Sequence, residues 1–235
     1  MNRIVLTKVS IGYEQKIVAG NLSAEFRGGK LTALIGRNGL GKSTLLKVLT
    51  GFLPPLSGAV SIDVDGHSYD LAHTSKNVLA RLVSVVLTDK PDVDHLTVEE
   101  VVGMGRMPYT GFFGGLHAAD REIVAQAMTS TGTTAFAHRD ISELSDGERQ
   151  KVMIARALAQ QTPVMILDEP TAFLDYGSKV ETLRLLQQMA RDNDKVILVS
   201  THDLDIAARY ADRLVTIDHG IRDISQEELK TIIAQ

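Results

Sequence analysis

"KLTALIGRNGLGKSTLLKVLTGF", residues 30–52, decides the fold. Its first six residues make an apolar run of strand type, and from Lys42 onward the apolar spacing is helical. Between them, Gly36 to Ser43 fits G-x-x-x-x-G-K-[ST]. Glycines let the backbone curl until several N–H groups face one anion. The start of the following helix adds partial positive charge. On this reading Gly36, Arg37, Asn38, Gly39, Leu40, Gly41, Lys42, Ser43 and Thr44 wrap the phosphates of a nucleotide. Lys42 neutralises the β- and γ-phosphates and Ser43 ligates Mg²⁺. The plainer alternative is a glycine-rich turn that binds nothing.

Outward from this loop the chain alternates. Before and just after it, "RIVLTKVSI", "NLSAEF" and "GAVSIDVDG" read as strands. The middle reads as helices. "TVEEVVGMGR" starts at Thr97 with Glu100 three residues on, a capping-box pattern. "AADREIVAQAMTSTG" stops at Gly132. In the last third, strands "PVMILDE", "KVILVST" and "RLVTID" alternate with helices "SKVETLRLLQQMARDN", "DLDIAARYA" and "SQEELKTIIA". Apolar strands alternating with helices predict a buried, mainly parallel sheet. The α/β core is therefore drawn from both ends of the chain, with a helical insert at approximately 90–150.

The bulk composition agrees. A chain of 235 residues with 44% hydrophobic residues is long and apolar enough for a sizeable core. A net charge of −4 argues against a nucleic-acid partner. With no cysteine, disulfides and thiolate metal sites are excluded. No stretch reaches the ~20 apolar residues of a membrane-spanning helix. The N-terminal residues do not read as a signal peptide, and no regulatory domain is expected after "SQEELKTIIAQ".

Two further strand ends carry chemistry. "VMILDEP" places Asp168 and Glu169 at the carboxyl end of a strand, where open parallel sheets bind ligands. Asp168 is suited to hold Mg²⁺, and Glu169 to polarise an attacking water. Taken alone, two acids before Pro170 are as readily a turn cap. His202 ends "KVILVSTH", and strand order brings it beside Asp168. A neutral imidazole there reaches the γ-phosphate or the water; a lone strand-end histidine is more often structural.

A second glycine turn, "ELSDGERQKVMIARAL" at 143–158, has no work to do for the nucleotide held by the first loop. It resembles the signature motif of the ATP-binding cassette (ABC) ATPases, usually LSGGQ. The resemblance covers nearly the whole chain, with the motifs in family order. It implies a single ABC ATPase domain over 1–235 with a P-loop NTPase ABC-ATPase fold. That fold has a mainly parallel core sheet, an N-terminal antiparallel β subdomain and a helical subdomain. It also implies an ATPase using ATP and Mg²⁺. In this scheme Ser145, Asp146 and Gly147 close over the ATP of a second copy of the chain, giving an ATP-sandwiched homodimer. Tyr13 in "IGY" resembles the aromatic that stacks on adenine, and Asp175 in "AFLD" the aspartate that links the two sites. Tyr13 also reads as a half-buried strand tyrosine.

There are departures from the family pattern. Asp146 stands where the signature has its second glycine. Asp89, in "VVLTDKPDVDH", stands where members usually carry a glutamine that reaches Mg²⁺. Aspartate is shorter and accepts hydrogen bonds only, yet remains a metal ligand.

"LTVEEVVGMGRMPYTGFFG", residues 96–114, looks like the importer subfamily for ferric siderophores, haem and cobalamin. In those relatives this region receives a short helix of the transmembrane permease, which works with a substrate-binding protein. Val98, Val101, Met104 and Met107 are candidates for that contact. The chain is then expected on the cytoplasmic face of the inner membrane. A plain amphipathic helix is the alternative here. At the level of function, the rivals are a soluble ABC-type ATPase without a permease, a motor for another cargo, and a small-molecule P-loop kinase. Stable association with a multi-spanning membrane protein separates the first rival. Turnover as a monomer marks the kinase.

Overall fold

The computed structural model describes residues 1–14, 16–37, 39–87, 95–111, 115–225 and 227–229. Asn38 and Asp89 lie outside them, as does most of "SQEELKTIIA".

Ten strands form two sheets among the described residues. Strands β1 (Arg3–Tyr13), β2 (Lys16–Arg27), β4 (Ser57–Val64) and β5 (His67–Asp70) make an antiparallel sheet in the order β2-β1-β4-β5. The second sheet holds β3 (Lys30–Ile35), β6 (Val83–Val86), β7 (Val164–Leu167), β8 (Val196–Thr201), β9 (Arg213–Ile217) and β10 (Ile221–Asp223). Its order is β10-β9-β3-β8-β7-β6, parallel throughout except for β10. This is the expected pairing of an antiparallel N-terminal sheet with a mainly parallel core.

The parallel strands read as unbroken apolar runs because both faces are covered. Side chains alternate between the faces. Leu31, Ala33, Ile35, Met165, Leu167, Ile197 and Val199 enter one core. That core is closed by α5 (Asp146–Ala159), α6 (Tyr176–Asp192) and α7 (Leu204–Tyr210). Leu34, Ile166, Leu198 and Val215 enter the other, shared with α1 (Lys42–Leu49) and the antiparallel sheet. The helix α2 (Lys76–Leu82) runs straight into β6, its capping residue Val83 being the first of the strand. With no turn residue between them, sequence reading finds no boundary, and α2, β5, β6 and β10 were not anticipated.

Between β6 and β7 lie α3 (Val98–Gly103), a 3₁₀ turn (Met104–Tyr109), α4 (Ala118–Thr131) and α5. Thr97 and Glu100 exchange both capping-box hydrogen bonds, and α4 stops at Gly132 with φ +69°. The helix expected over 97–106 tightens at Gly103 into the 3₁₀ turn, which contains Pro108. Gly105 allows this turn to press on α5: a Cβ there would lie 2.2 Å from the Arg156 carbonyl oxygen. Arg106 is buried and donates to Asp120 at 2.9 Å and to the Ala159 carbonyl at 2.8 Å.

One expectation fails here in part: Val98 and Val101 are fully buried in the core, so they are not available to a partner, while Met104 is half-buried. Of the four, Met107 is the most exposed, at 68%. Apolar residues at helical spacing bury first against their own fold.

At the amino ends of β7 and β8, a cavity of about 580 Å³ is lined by Thr162, Gln188 and Lys195 among others. Lys195 is buried and donates to the Thr162 carbonyl.

Candidate nucleotide site

The carboxyl ends of β3, β7 and β8 are neighbours, so the residues that follow them converge. Gly41 caps α1 with φ +90° and no side-chain hydrogen bond, a conformation suited to glycine. The first N–H groups of α1 thus have no side-chain cap from Gly41 and can face a ligand. Lys42 is buried, with Nζ 2.7 Å from the Gly36 carbonyl oxygen and 3.1 Å from that of Arg37. An ammonium has three donors, so one remains beyond these two bonds. Gly39 lies between Arg37 and Leu40 in the same loop, and a Cβ there would meet nothing within 4 Å. Arg37, Leu40 and His202 border a cleft of about 390 Å³ beside the loop.

Ser43 Oγ donates to Asp168 Oδ1 at 3.3 Å. Ser200, fully buried, donates to the same oxygen at 2.5 Å and accepts from the Glu169 backbone N–H at 2.9 Å. One hydroxyl therefore fixes both acids. The Asp168 N–H donates to the Val86 carbonyl at 2.9 Å, which ties it to β6. Glu169 holds φ +50°, in the left-handed region that a non-glycine residue occupies at a cost of ~1–3 kcal/mol. His202 Nδ1 lies 2.8 Å from Glu169 Oε2. The carboxylate accepts, so Nδ1 donates and Nε2 is left for another partner. The turn after His202 is pinned by Asp203, which accepts from Thr171 Oγ1 at 3.0 Å and from Lys179 Nζ at 2.9 Å. Burial pushes the Asp203 carboxyl up, but the Lys179 and Thr171 hydrogen bonds outweigh it and hold the group below the usual range.

Ser43 and Asp168 offer two hard oxygens in contact. That set fits Mg²⁺, which takes one or two protein oxygens and completes its shell with phosphate and water. Among the described residues no cluster of three or more His, Cys, Asp or Glu could hold a metal by itself.

Tyr13 ends β1, 46% exposed, beside α1. A hydrogen bond from Thr44, with help from the Lys47 charge, holds its phenol below the ordinary value against the opposing effect of burial. Thr44 itself is buried.

Ser145, Asp146 and Gly147 are placed apart from this cluster, at the start of α5, which packs on α3 and α4. Ser145 caps the helix: its Oγ accepts from the Glu148 N–H at 3.3 Å and donates to Glu148 Oε2 at 2.7 Å. A Cβ on Gly147 would lie 3.2 Å from Ser178 Oγ. Ser178 in turn donates to Asp175, the cap of α6, through N at 3.0 Å and Oγ at 2.8 Å. The structure therefore brings the second glycine turn to Asp175, in a separate group from the first. On the loop leading to Asp175, Phe173 is 77% exposed at φ +63°, and Tyr176 just beyond it is 62% exposed.

Ser200, Thr171, Lys179 and Asp203 escaped sequence reading. The available signal was Ser200, a polar side chain inside an otherwise apolar strand.

The family model described as ABC transporter matches residues 19–172. The chain belongs to the ABC transporter family. It is an ATP-hydrolysing cassette of that family. Among its relatives is the achromobactin transport ATP-binding protein CbrD of Dickeya dadantii, 39% identical over 92% of this chain and 79% of that one. The hemin import ATP-binding protein HmuV of Nocardia farcinica is 44% identical over 82% of this chain and 64% of its own length. The fold matches a solved nucleotide-free ATP-binding cassette from an ABC transporter with a TM-score of 0.86, at 21% identity over all of this chain and 96% of that one. Among the described residues no helix is long and apolar enough to cross a membrane.

Proposed function

We propose that this cassette powers uptake of an iron chelate (ferric siderophore or haem) or of cobalamin through a separate membrane permease. The reading rests on the likeness to achromobactin and hemin transport proteins across most of the chain. The whole chain acts as one domain, with approximately residues 90–150 as its helical subdomain. It sits on the cytoplasmic face of the inner membrane, held by the permease, which receives cargo from a substrate-binding protein.

The geometry supports a division of labour. The start of α1 and the remaining Lys42 donor grip the β- and γ-phosphates. Tyr13 lies against adenine. Ser43 and Asp168 hold Mg²⁺, which when bound neutralises phosphate charge; Asp89 takes the place of the usual glutamine beside it. Glu169 polarises the attacking water, with His202 orienting its carboxylate through the 2.8 Å contact. Ser145 and Gly147 donate to the γ-phosphate on a second copy of the chain, and Asp175 links the two sites. The exposed Phe173 and Tyr176 suit burial against that copy. ATP then joins the pair and hydrolysis releases it.

Uptake of labelled ferric siderophore, haem and cobalamin, compared in cells with and without this gene, tests the reading. Loss of one cargo, restored by wild type and not by Glu169→Gln, is expected. Unchanged uptake of all three sinks it. For Asp89, the expected result of Asp89→Ala is ATP turnover lowered at least about tenfold; near-normal turnover removes it from the site.

A further inference from the structure

The cavity at the amino ends of β7 and β8 lies at the opposite end of the sheet from the nucleotide residues, which follow the carboxyl ends. Three parts of the fold wall it. α4 contributes Ile123, α6 contributes Leu185, and the turn between β4 and β5 contributes Asp65. At about 580 Å³ it has the size of a small-molecule site, and clefts where parts of a fold meet are favoured places for one.

The wall has two characters. Ile123, Leu158 and Leu185 pack against the main core yet are only partly buried, and each also lines the cavity. They give it an apolar side. Lys195 and Thr162 give it a polar floor. Lys195 is only 6% exposed, and its ammonium donates to the Thr162 carbonyl. An ammonium carries three donors. Burial lowers the Lys195 pKa to about 8, with desolvation as the cause. A buried charge of this kind is stabilised by an opposite charge brought against it. The acids that line the cavity, Asp65 and Asp192, are both exposed, where solvent and salt screen them. The deep charge is therefore positive and the shallow ones negative.

We propose that this cavity binds a small organic anion, its oxyanion head on Lys195 and its apolar body against Ile123, Leu158 and Leu185. The head is a carboxylate or a phosphate monoester. The charge-assisted hydrogen bond selects the anion, and an amine of the same shape is rejected by like charge. An occupant ties α4 to the core and to the antiparallel sheet, remote from the nucleotide. The inference holds whatever cargo the cassette serves.

The test is calorimetric titration of the full chain with phenylacetate and phenyl phosphate, alongside phenylethanol and phenylethylammonium as neutral and cationic counterparts. Saturating ADP and Mg²⁺ keep the probes off the phosphate loop. At least one anion should bind at roughly millimolar concentration or below, and the stronger of the two identifies the head. The neutral and cationic probes should bind at least about tenfold more weakly. Lys195→Met keeps the stem and removes the charge, so affinity for the anion should fall at least about tenfold while ATP hydrolysis stays at the wild-type rate. Ser130→Trp, an exposed position of α4 on the same wall, leaves Lys195 in place and fills the cavity; it should abolish binding as well. This second variant decides the matter if Lys195→Met does not fold. The proposal is overturned if neither anion binds wild type, if phenylethanol binds as well as the anions, or if either folded variant keeps wild-type affinity.

Discussion

Ser200 shows how a single hydroxyl organises two acids. It donates to Asp168 Oδ1 and accepts from the Glu169 N–H, so the side chain of one and the backbone of the other share one anchor. The strained φ of Glu169 is held in part by this bond. Ser200→Ala should therefore lower ATP turnover by about 10–100-fold, the usual effect of losing a supporting hydrogen bond at such a site. Steady-state ATPase assays with nucleotide binding measured alongside decide it; turnover equal to wild type would show that Asp168 and Glu169 hold themselves. Glu169→Gln keeps the shape and removes the proposed base. We expect turnover to drop by about 10²–10⁴-fold, with an ATP-dependent dimer accumulating on size exclusion. Normal hydrolysis would transfer the role of base elsewhere. That Ser43, Asp168, Glu169 and His202 are neighbours was legible because motif spacing and strand ends mark them. Ser200 was not: the adjacency of the two strand ends was expected and is found, but no motif spacing marks which side chain within an apolar strand bridges them.

At the start of α5, capping and the proposed phosphate contact compete for the same side chain. Ser145 is engaged in a complete box with Glu148, and the Glu148 carboxyl is held below its ordinary range first by the Ser145 hydroxyl and then by the Ser145 N–H. Asp146 adds an acid in the first turn, which favours the helix dipole. Ser145→Ala should cost about 1 kcal/mol and lower the melting temperature by roughly 2–4 °C for a chain of this size. Ser145→Asp restores the cap but not the hydroxyl. If Ser145 also donates to phosphate, Ser145→Asp will recover the melting temperature and not the ATPase rate; recovery of both would leave Ser145 a cap alone. Elements with two clear ends, such as α4 and β8, could be read from sequence. The junction of α2 and β6 could not, since Leu82 and Val83 continue one apolar run while the backbone changes conformation between them.

For the molecule as a whole, Lys195 sets a pH signature remote from the nucleotide. Burial lowers its pKa from 10.5 to about 8. Between these values the unfolded chain binds more protons than the folded one, so stability rises with pH through that window. Below about pH 8 both states are charged and the burial penalty is fully present. It amounts to about 3 kcal/mol at most. Urea midpoints of wild type should therefore climb from pH 8 to 10, and those of Lys195→Met should lack that climb. Parallel curves would mean that the ammonium is solvated in the fold. At this scale the mainly parallel sheet was legible from its apolar runs, whereas the antiparallel sheet was expected from the family resemblance. The six-strand order was not, and it carries a consequence for biosynthesis. β3 delivers the phosphate loop early, yet its flanking strands β8 and β9 come from Val196–Thr201 and Arg213–Ile217. A nascent chain emerging from the ribosome holds its nucleotide loop without lateral support until almost the last strand is made. A product terminated before Val196 lacks both strands that flank the loop, and it is expected to bind no ATP.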